Sequence, residues 1–254
     1  MNFVSHLGRM AACAVLAASF GGAALADELQ VLSAGAIEPG LKAAAAAFEK
    51  QTGHVAKITF NTAPELRKRM DSNPAFDVVI APPAVIADFA AASKLLDTRA
   101  NVGRVGMGVA VRDGAALPDI SSADAVKRTV LDAESLVFNR ASTGLYFEGL
   151  LKKMDVYSQI EGKTTRYADG ASVLEHVIKG KGREVGFGAI TEIMLYQGKG
   201  LNFVGPLPAD IQNYTAYTAA PLASGKSQAL ARQFVSFLSG PVGKPLFVAA
   251  GVTE

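Results

Sequence analysis

Val55-Ala56-Lys57-Ile58-Thr59-Phe60-Asn61-Thr62-Ala63-Pro64-Glu65-Leu66 is the stretch whose reading decides the fold class. Residues 55–60 are rich in β-branched and aromatic side chains and read as a strand. Asn61-Thr62-Ala63-Pro64 then opens a helix on which Leu66 and Met70 lie one turn apart. Its proline stands near the first turn, where the missing N–H costs nothing. The same step from strand to helix recurs on both sides. Residues 29–33 read as a strand and feed Glu38-Pro39-Gly40, which opens a helix carrying Leu41, Ala45 and Phe48 and stopped by Gly53. Phe76-Asp77-Val78-Val79-Ile80-Ala81 is a short apolar run, as expected of a strand covered on both faces, and Val85, Ile86 and Phe89 mark a third helix. This alternation predicts an α/β fold with a parallel, doubly wound sheet.

The alternation continues downstream. Strands are expected over 105–112, 135–139, 164–168, 184–189, 201–204 and 214–220. Helices are expected over 142–156, 170–179, 190–196, 227–238 and 242–250, and Ser172 and Glu175 have the spacing of a capping box. Breakers cluster at Asp113-Gly114 and Leu117-Pro118. There is no internal repeat and no low-complexity linker.

Ahead of this pattern lies an address. Arg9 belongs to a short polar start, an uncharged apolar run covers 10–26, and Ala24-Leu25-Ala26 offers small residues to a signal peptidase. Residues 1–26 therefore read as a secretory signal cleaved before Asp27. The run is shorter than the roughly 20 apolar residues a membrane span needs. Cys13 is the only cysteine of the chain, so the processed protein carries none, which excludes thiol nucleophiles and iron–sulfur clusters. Half of the 254 residues are apolar and 19% are charged, enough to bury a core in one large domain or two lobes. The net charge of +2 gives no electrostatic case for a nucleic acid or a membrane surface as partner. Three histidines and one cysteine are too few for a structural zinc site, and no cofactor motif is present.

Catalytic constellations are equally sparse. His54 and His176 form no metal or nucleophile motif and read as surface or packing residues. Gly225-Lys226-Ser227 imitates the end of a phosphate-binding loop, but position 220 is Ala where that loop requires Gly, so the segment reads as a turn capped by Ser227. Arg67-Lys68-Arg69 reads as a solvated helix face. Asp77, Glu148, Asp169 and Glu184 fall near strand ends and are the candidates if the chain were an exported hydrolase working through a carboxylate pair.

What remains is a set of small or polar strand-to-helix junctions: Ser33-Ala34-Gly35-Ala36, Asn61-Thr62-Ala63-Pro64 and Arg140-Ala141-Ser142-Thr143-Gly144. A helix start offers unpaired N–H groups and a partial positive charge, and small residues let an anion approach it. In open α/β sheets such junctions lie at the carboxyl ends of strands, where ligands sit. The alternative is ordinary capping by Thr62 and Ser142.

Together with Val185-Gly186-Phe187-Gly188, these segments give nearly the whole processed chain a resemblance to type II periplasmic solute-binding proteins, closest to the molybdate-binding receptors of ABC importers. The resemblance implies two lobes joined by two crossing strands near 106–112 and 214–220, each lobe a mostly parallel sheet flanked by helices. Lobe one would span 27–109 plus 215–254, and lobe two 110–214. It further implies a periplasmic location, a small anionic solute, an ABC-transporter permease as partner, a monomer, and no enzymatic activity. A sensory protein on the same fold is an alternative. The ligand-binding positions it implies are Gly35, Ala36, Asn61, Thr62, Ala63, Arg140, Ser142, Thr143, Ala171 and Ala189. In the molybdate receptors serine hydroxyls at the first two junctions bind the oxyanion. Ala36 and Ala63 stand at those positions here, and the family's tyrosine falls near Ala189. Each lost hydrogen bond to a charged group costs about 1.5–3 kcal/mol. The expectation is therefore a different anion, such as an organic carboxylate, held by Arg140 with Asn61, Thr62, Ser142 and Thr143.

Overall fold

The computed structural model describes residues 26–72 and 76–254, so the expected signal segment up to Leu25, Cys13 included, lies outside the described residues. The first cycles fold as the alternation predicts. β1 (Glu28–Ala34) leads through a single 3-10 turn (Gly35–Ile37) into α1 (Glu38–Thr52), followed by β2 (Val55–Asn61), α2 (Ala63–Ser72), β3 (Val78–Ala81) and α3 (Pro83–Ala91). Pro39 lies in the first turn of α1, and Gly53 ends that helix in the left-handed region at φ 77°.

β4 (Ala100–Arg112) begins five residues before the expected start at 105 and runs through the middle of the molecule. Its first half pairs antiparallel with β9 (Tyr214–Pro221), ending at Gly106↔Tyr214. From Met107 onward it pairs instead with β7 (Glu184–Ala189), and from Gly108 also with β8 (Leu201–Pro206). β1 is parallel to both β2 and β3, and β5 (Ser135–Asn139) is parallel to β6 (Thr164–Tyr167) and to β7. Two parallel groups thus flank antiparallel central strands, and the sheet order is β2-β1-β3-β9-β4-β7-β5-β6. The sheet is mixed because β4 and β9 carry the chain across the middle in opposite directions.

The apolar residues divide at the same place. One core gathers Leu32, Ile37, Phe48, Ile80, Phe234 and Phe247 under β1 and β3, with Phe234 on α9 (Gln228–Leu238) and Phe247 on α10 (Gly243–Ala249). A second gathers Phe138, Phe147 and Phe187, where Phe147 stacks on Phe187 at 4.0 Å between centroids, and a third, smaller one gathers Val137, Val173, Leu174, Val177 and Ile193. The C-terminus is tied back to the first group by reciprocal backbone bonds between Arg104 and Thr253.

Four local expectations are corrected. α4 (Ala123–Asp132) was not anticipated, although Ser122 caps it by accepting the Ala125 N–H at 3.1 Å. α5 (Ser142–Lys153) stops short of 156 because Asp155 turns into the left-handed region at φ 57°, and a short α6 (Tyr157–Ile160) follows. The cap of α7 (Gly170–Lys179) is Asp169, which accepts from the N–H and hydroxyl of Ser172, so Ser172 and Glu175 form no capping box. Ser227 makes no side-chain capping bond to α9. The carboxylate of buried Asp77 holds that turn, accepting the Ser227 N–H at 3.2 Å and the Gln30 N–H at 2.8 Å.

Candidate functional site

The strand-to-helix junctions converge. Gly35, Ala36, Asn61, Thr62, Ala63, Ser142, Thr143, Ala171 and Ala189 all line one hollow of about 350 Å³. Arg140 does not line it. Its backbone N–H bonds the Tyr167 carbonyl, its side chain is exposed, and the expected fixed cation is absent from this wall. Successive strand residues alternate faces, and β5 spends its last inward position on Asn139.

Asn139 builds the junction into α5. Its Oδ1 accepts the N–H groups of Ala141 (3.0 Å) and Gly144 (3.1 Å), and its amide contacts the Thr143 hydroxyl at 3.2 Å. Gly144 is required here, since a Cβ at that position would stand 1.8 Å from the Asn139 carbonyl oxygen. Ser142 consequently does not cap the helix; Ala141 occupies the cap position. The hydroxyls of Thr62 and Ser142 make no hydrogen bond among the described residues and are free to meet a ligand. The amide nitrogen of Asn61 is buried without a partner, while its oxygen accepts from Arg69 at 3.3 Å. The first amides of α2, α5 and α7 lack in-helix acceptors, and the starts of all three helices open on the hollow.

The charged groups on the wall are all acidic. Glu38, Glu65, Asp169 and Glu192 line the hollow, and among the described residues no Lys, Arg or His does. Glu38 is paired with Lys42, Asp169 is committed to the cap of α7, and Glu65 is exposed. Glu192 is different. It projects from α8 (Ile190–Tyr196), and its carboxylate sits against Gly170 on one side and Gly35 on the other. A Cβ at position 170 would lie 2.1 Å from Glu192 Oε2. No donor bonds this carboxylate among the described residues. Burial, then the charges of Asp169 and Glu38, push its carboxyl up from 4.5 to about 7. The phenol of Tyr217, on the same wall, is raised well above its ordinary value by burial and then by Glu192. α8 is clasped to the opposite wall by the Thr191 hydroxyl, which donates to the Ala36 carbonyl.

Of the hydrolase candidates, only Asp169 reaches the hollow. Asp77 is a structural acceptor, Glu148 pairs with Lys152 and Arg166, and Glu184 accepts the N–H groups of Lys181 and Gly182. Among the described residues no cluster of His, Cys, Asp and Glu could hold a metal ion. Glu192, Tyr217, Asn139 and Gly170 were missed in the sequence. The available signal for Glu192 was its place as the lone charge in the apolar segment Ile190-Thr191-Glu192-Ile193-Met194-Leu195-Tyr196.

Helix starts gathered on one hollow make a cleft able to hold a small ligand, and residues 29–253 match the family described as bacterial extracellular solute-binding protein. The chain belongs to that family. Solved structures agree on the fold. The periplasmic molybdate-binding protein of Azotobacter vinelandii superposes with a TM-score of 0.73 at 19% identity, covering 89% of this chain and 99% of the other. The sulfate-binding protein SubI of Mycobacterium tuberculosis gives 0.72 at 16% identity, covering 89% of this chain and 86% of the other. The solute-binding protein is also 28% identical over 220 residues to an aconitate isomerase of a Pseudomonas species, spanning 83% of this chain and 82% of that protein. It thus has the two-lobed type II binding-protein fold, close to the molybdate-binding receptors. Among the described residues no helix is long and apolar enough to cross a membrane.

Proposed function

We propose that this protein is the periplasmic receptor of an ABC importer, and that it captures a small organic anion bearing carboxylates in the hollow between its lobes. The observation that carries this reading is the convergence of the α2, α5 and α7 starts on one hollow, with alanines at positions 36 and 63. Free amides and the hydroxyls of Thr62 and Ser142 supply hydrogen bonds to negative oxygens without a fixed cation. The volume of about 350 Å³ falls in the range of small-molecule pockets, roughly 300–1,000 Å³, which suits an organic anion of several carbons. The lobes span 27–109 with 215–254 and 110–214, and they close on the solute by a hinge where β4 changes partners. Residues 1–26 direct export, and the closed monomer docks on a membrane permease.

A thermal-shift panel of molybdate, tungstate, sulfate, phosphate and di- and tricarboxylates tests the reading. The true ligand at a hundredfold excess over its Kd adds about 2.7 kcal/mol of stability. A panel without any shift overturns it.

One observation favours a second reading. The aconitate isomerase relative acts on a tricarboxylate, and Glu192 places a carboxyl suited to proton transfer near pH 7 inside the hollow. Incubation with one aconitate isomer, followed by NMR, decides whether this chain turns it over or only binds it.

A further inference from the structure

A hollow that binds an anion yet presents four carboxylates and no cation poses an electrostatic problem. Two of the four acids are already answered, Glu38 by Lys42 and Asp169 by the N–H and hydroxyl of Ser172, and Glu65 is exposed to water. Glu192 has neither a donor nor a counter-charge among the described residues. It stands between Gly35 of one wall and Gly170 of the other, two positions where the absence of a side chain leaves the carboxylate room. Among the described residues the titratable groups that interact with it are acidic or phenolic: Glu38 from α1, Asp169 at the cap of α7, Tyr217 from β9, and Tyr196 from its own helix. An anionic ligand entering this hollow adds one more negative charge beside it and disfavours its ionised form further.

We propose that Glu192 takes part in ligand capture as a neutral carboxylic acid, donating its proton in a hydrogen bond to a carboxylate of the solute. The inference rests on the anion reading of the hollow and adds to it a specificity-determining residue and a proton. A carboxylic acid facing a carboxylate forms a short, charge-assisted O–H···O⁻ bond. The same acid ionised repels the ligand. Capture therefore takes up a proton when it begins with ionised Glu192. The site then prefers an anion with an arm that can accept this bond while its other carboxylates lie at the helix starts. Because the carboxyl is raised to about 7, uptake grows as pH rises through neutrality and approaches one proton per ligand once Glu192 is ionised in the free protein. Affinity falls by up to tenfold per pH unit above that point.

The test uses the full processed chain and propane-1,2,3-tricarboxylate, which is fully ionised above pH 7 and carries no titration of its own there. Isothermal calorimetry at pH 7 and pH 8 in PIPES and in imidazole, whose ionisation enthalpies differ, counts the protons taken up by wild type without any mutation. Glu192→Gln, folded by circular dichroism, keeps a donor and loses the titration. Its affinity is expected to be flat with pH and its proton uptake near zero. Gly170→Ala, whose methyl would occupy the place of the carboxylate, is expected to weaken binding and reduce the uptake. Binding by wild type with flat affinity and no proton uptake overturns the role of Glu192 and leaves the anion reading standing. No binding by either wild type or Glu192→Gln between pH 5 and 8.5 overturns both.

Discussion

Replacing Glu192 by Gln should stabilise the empty protein, and only above a definite pH. Below 4.5 both the folded and unfolded chains hold the proton, so the carboxyl carries no penalty. Between 4.5 and about 7 the unfolded chain releases it while the folded chain keeps it, and the folded state loses stability as pH rises. Above about 7 the penalty is constant. At ~1.4 kcal/mol per pH unit the interval corresponds to roughly 3 kcal/mol. Water in the open hollow screens part of this, so the expected gain for the variant is about 1–3 kcal/mol. Urea denaturation of both proteins from pH 4.5 to 8.5 measures it. Glu148, Asp119 and Glu134, whose carboxyls are lowered by their hydrogen-bonded and charged partners, give the opposite slope in both proteins and cancel in the difference. The gap between the two curves should open from near zero and level off above about pH 7. A gap that is the same at both ends of the range would refute the reasoning, because Glu192 would then ionise as an ordinary surface acid.

Other expectations follow from the same geometry. Gly144→Ala forces a methyl against the Asn139 carbonyl oxygen and should cost about 2–4 kcal/mol in chemical denaturation, by breaking the turn into α5. Glu148→Gln leaves the half-buried Arg166 without its carboxylate and should cost about 1–2 kcal/mol at neutral pH. Glu148 is held below its ordinary value by Lys152 first and then Arg166, so that loss fades as pH falls through its lowered range, which the pH series would reveal. Ala36→Ser combined with Ala63→Ser adds hydroxyls at two walls of the hollow and should raise molybdate affinity at least tenfold in titration calorimetry. Arg140→Ala should leave carboxylate affinity within about threefold, since the side chain is outside the hollow.

Periodicity was sufficient for the alternation of strands and helices, for the helix stop at Gly53, and for the placing of seven wall residues at junctions, while Ala171 and Ala189 came from the family resemblance alone. It was sufficient because a junction is local: small residues, a proline in the first turn and an apolar stripe act within a few positions of one another. The same local rules misassigned the caps of α5, α7 and α9. At α5 and α9 the acceptors come from residues outside the helix, Asn139 and Asp77, and at α7 the nearer competitor Asp169 displaced Ser172. α4 escaped notice because its apolar positions Val126 and Val130 follow a breaker-rich segment that hid the Ser122 cap.

The sequence alone determined that this chain is an α/β protein with small or polar strand-to-helix junctions, because helix periodicity and small junction residues act through bonds between near neighbours. It did not reveal that, among the described residues, no cation lines the hollow, or that Glu192 stands there with a raised carboxyl. That carboxylate owes its properties to Gly35, Glu38, Asp169 and Gly170, which are far from it in the chain and meet it only when the two walls come together. Burial and charge depend on distance through space, and only the tertiary structure sets those distances.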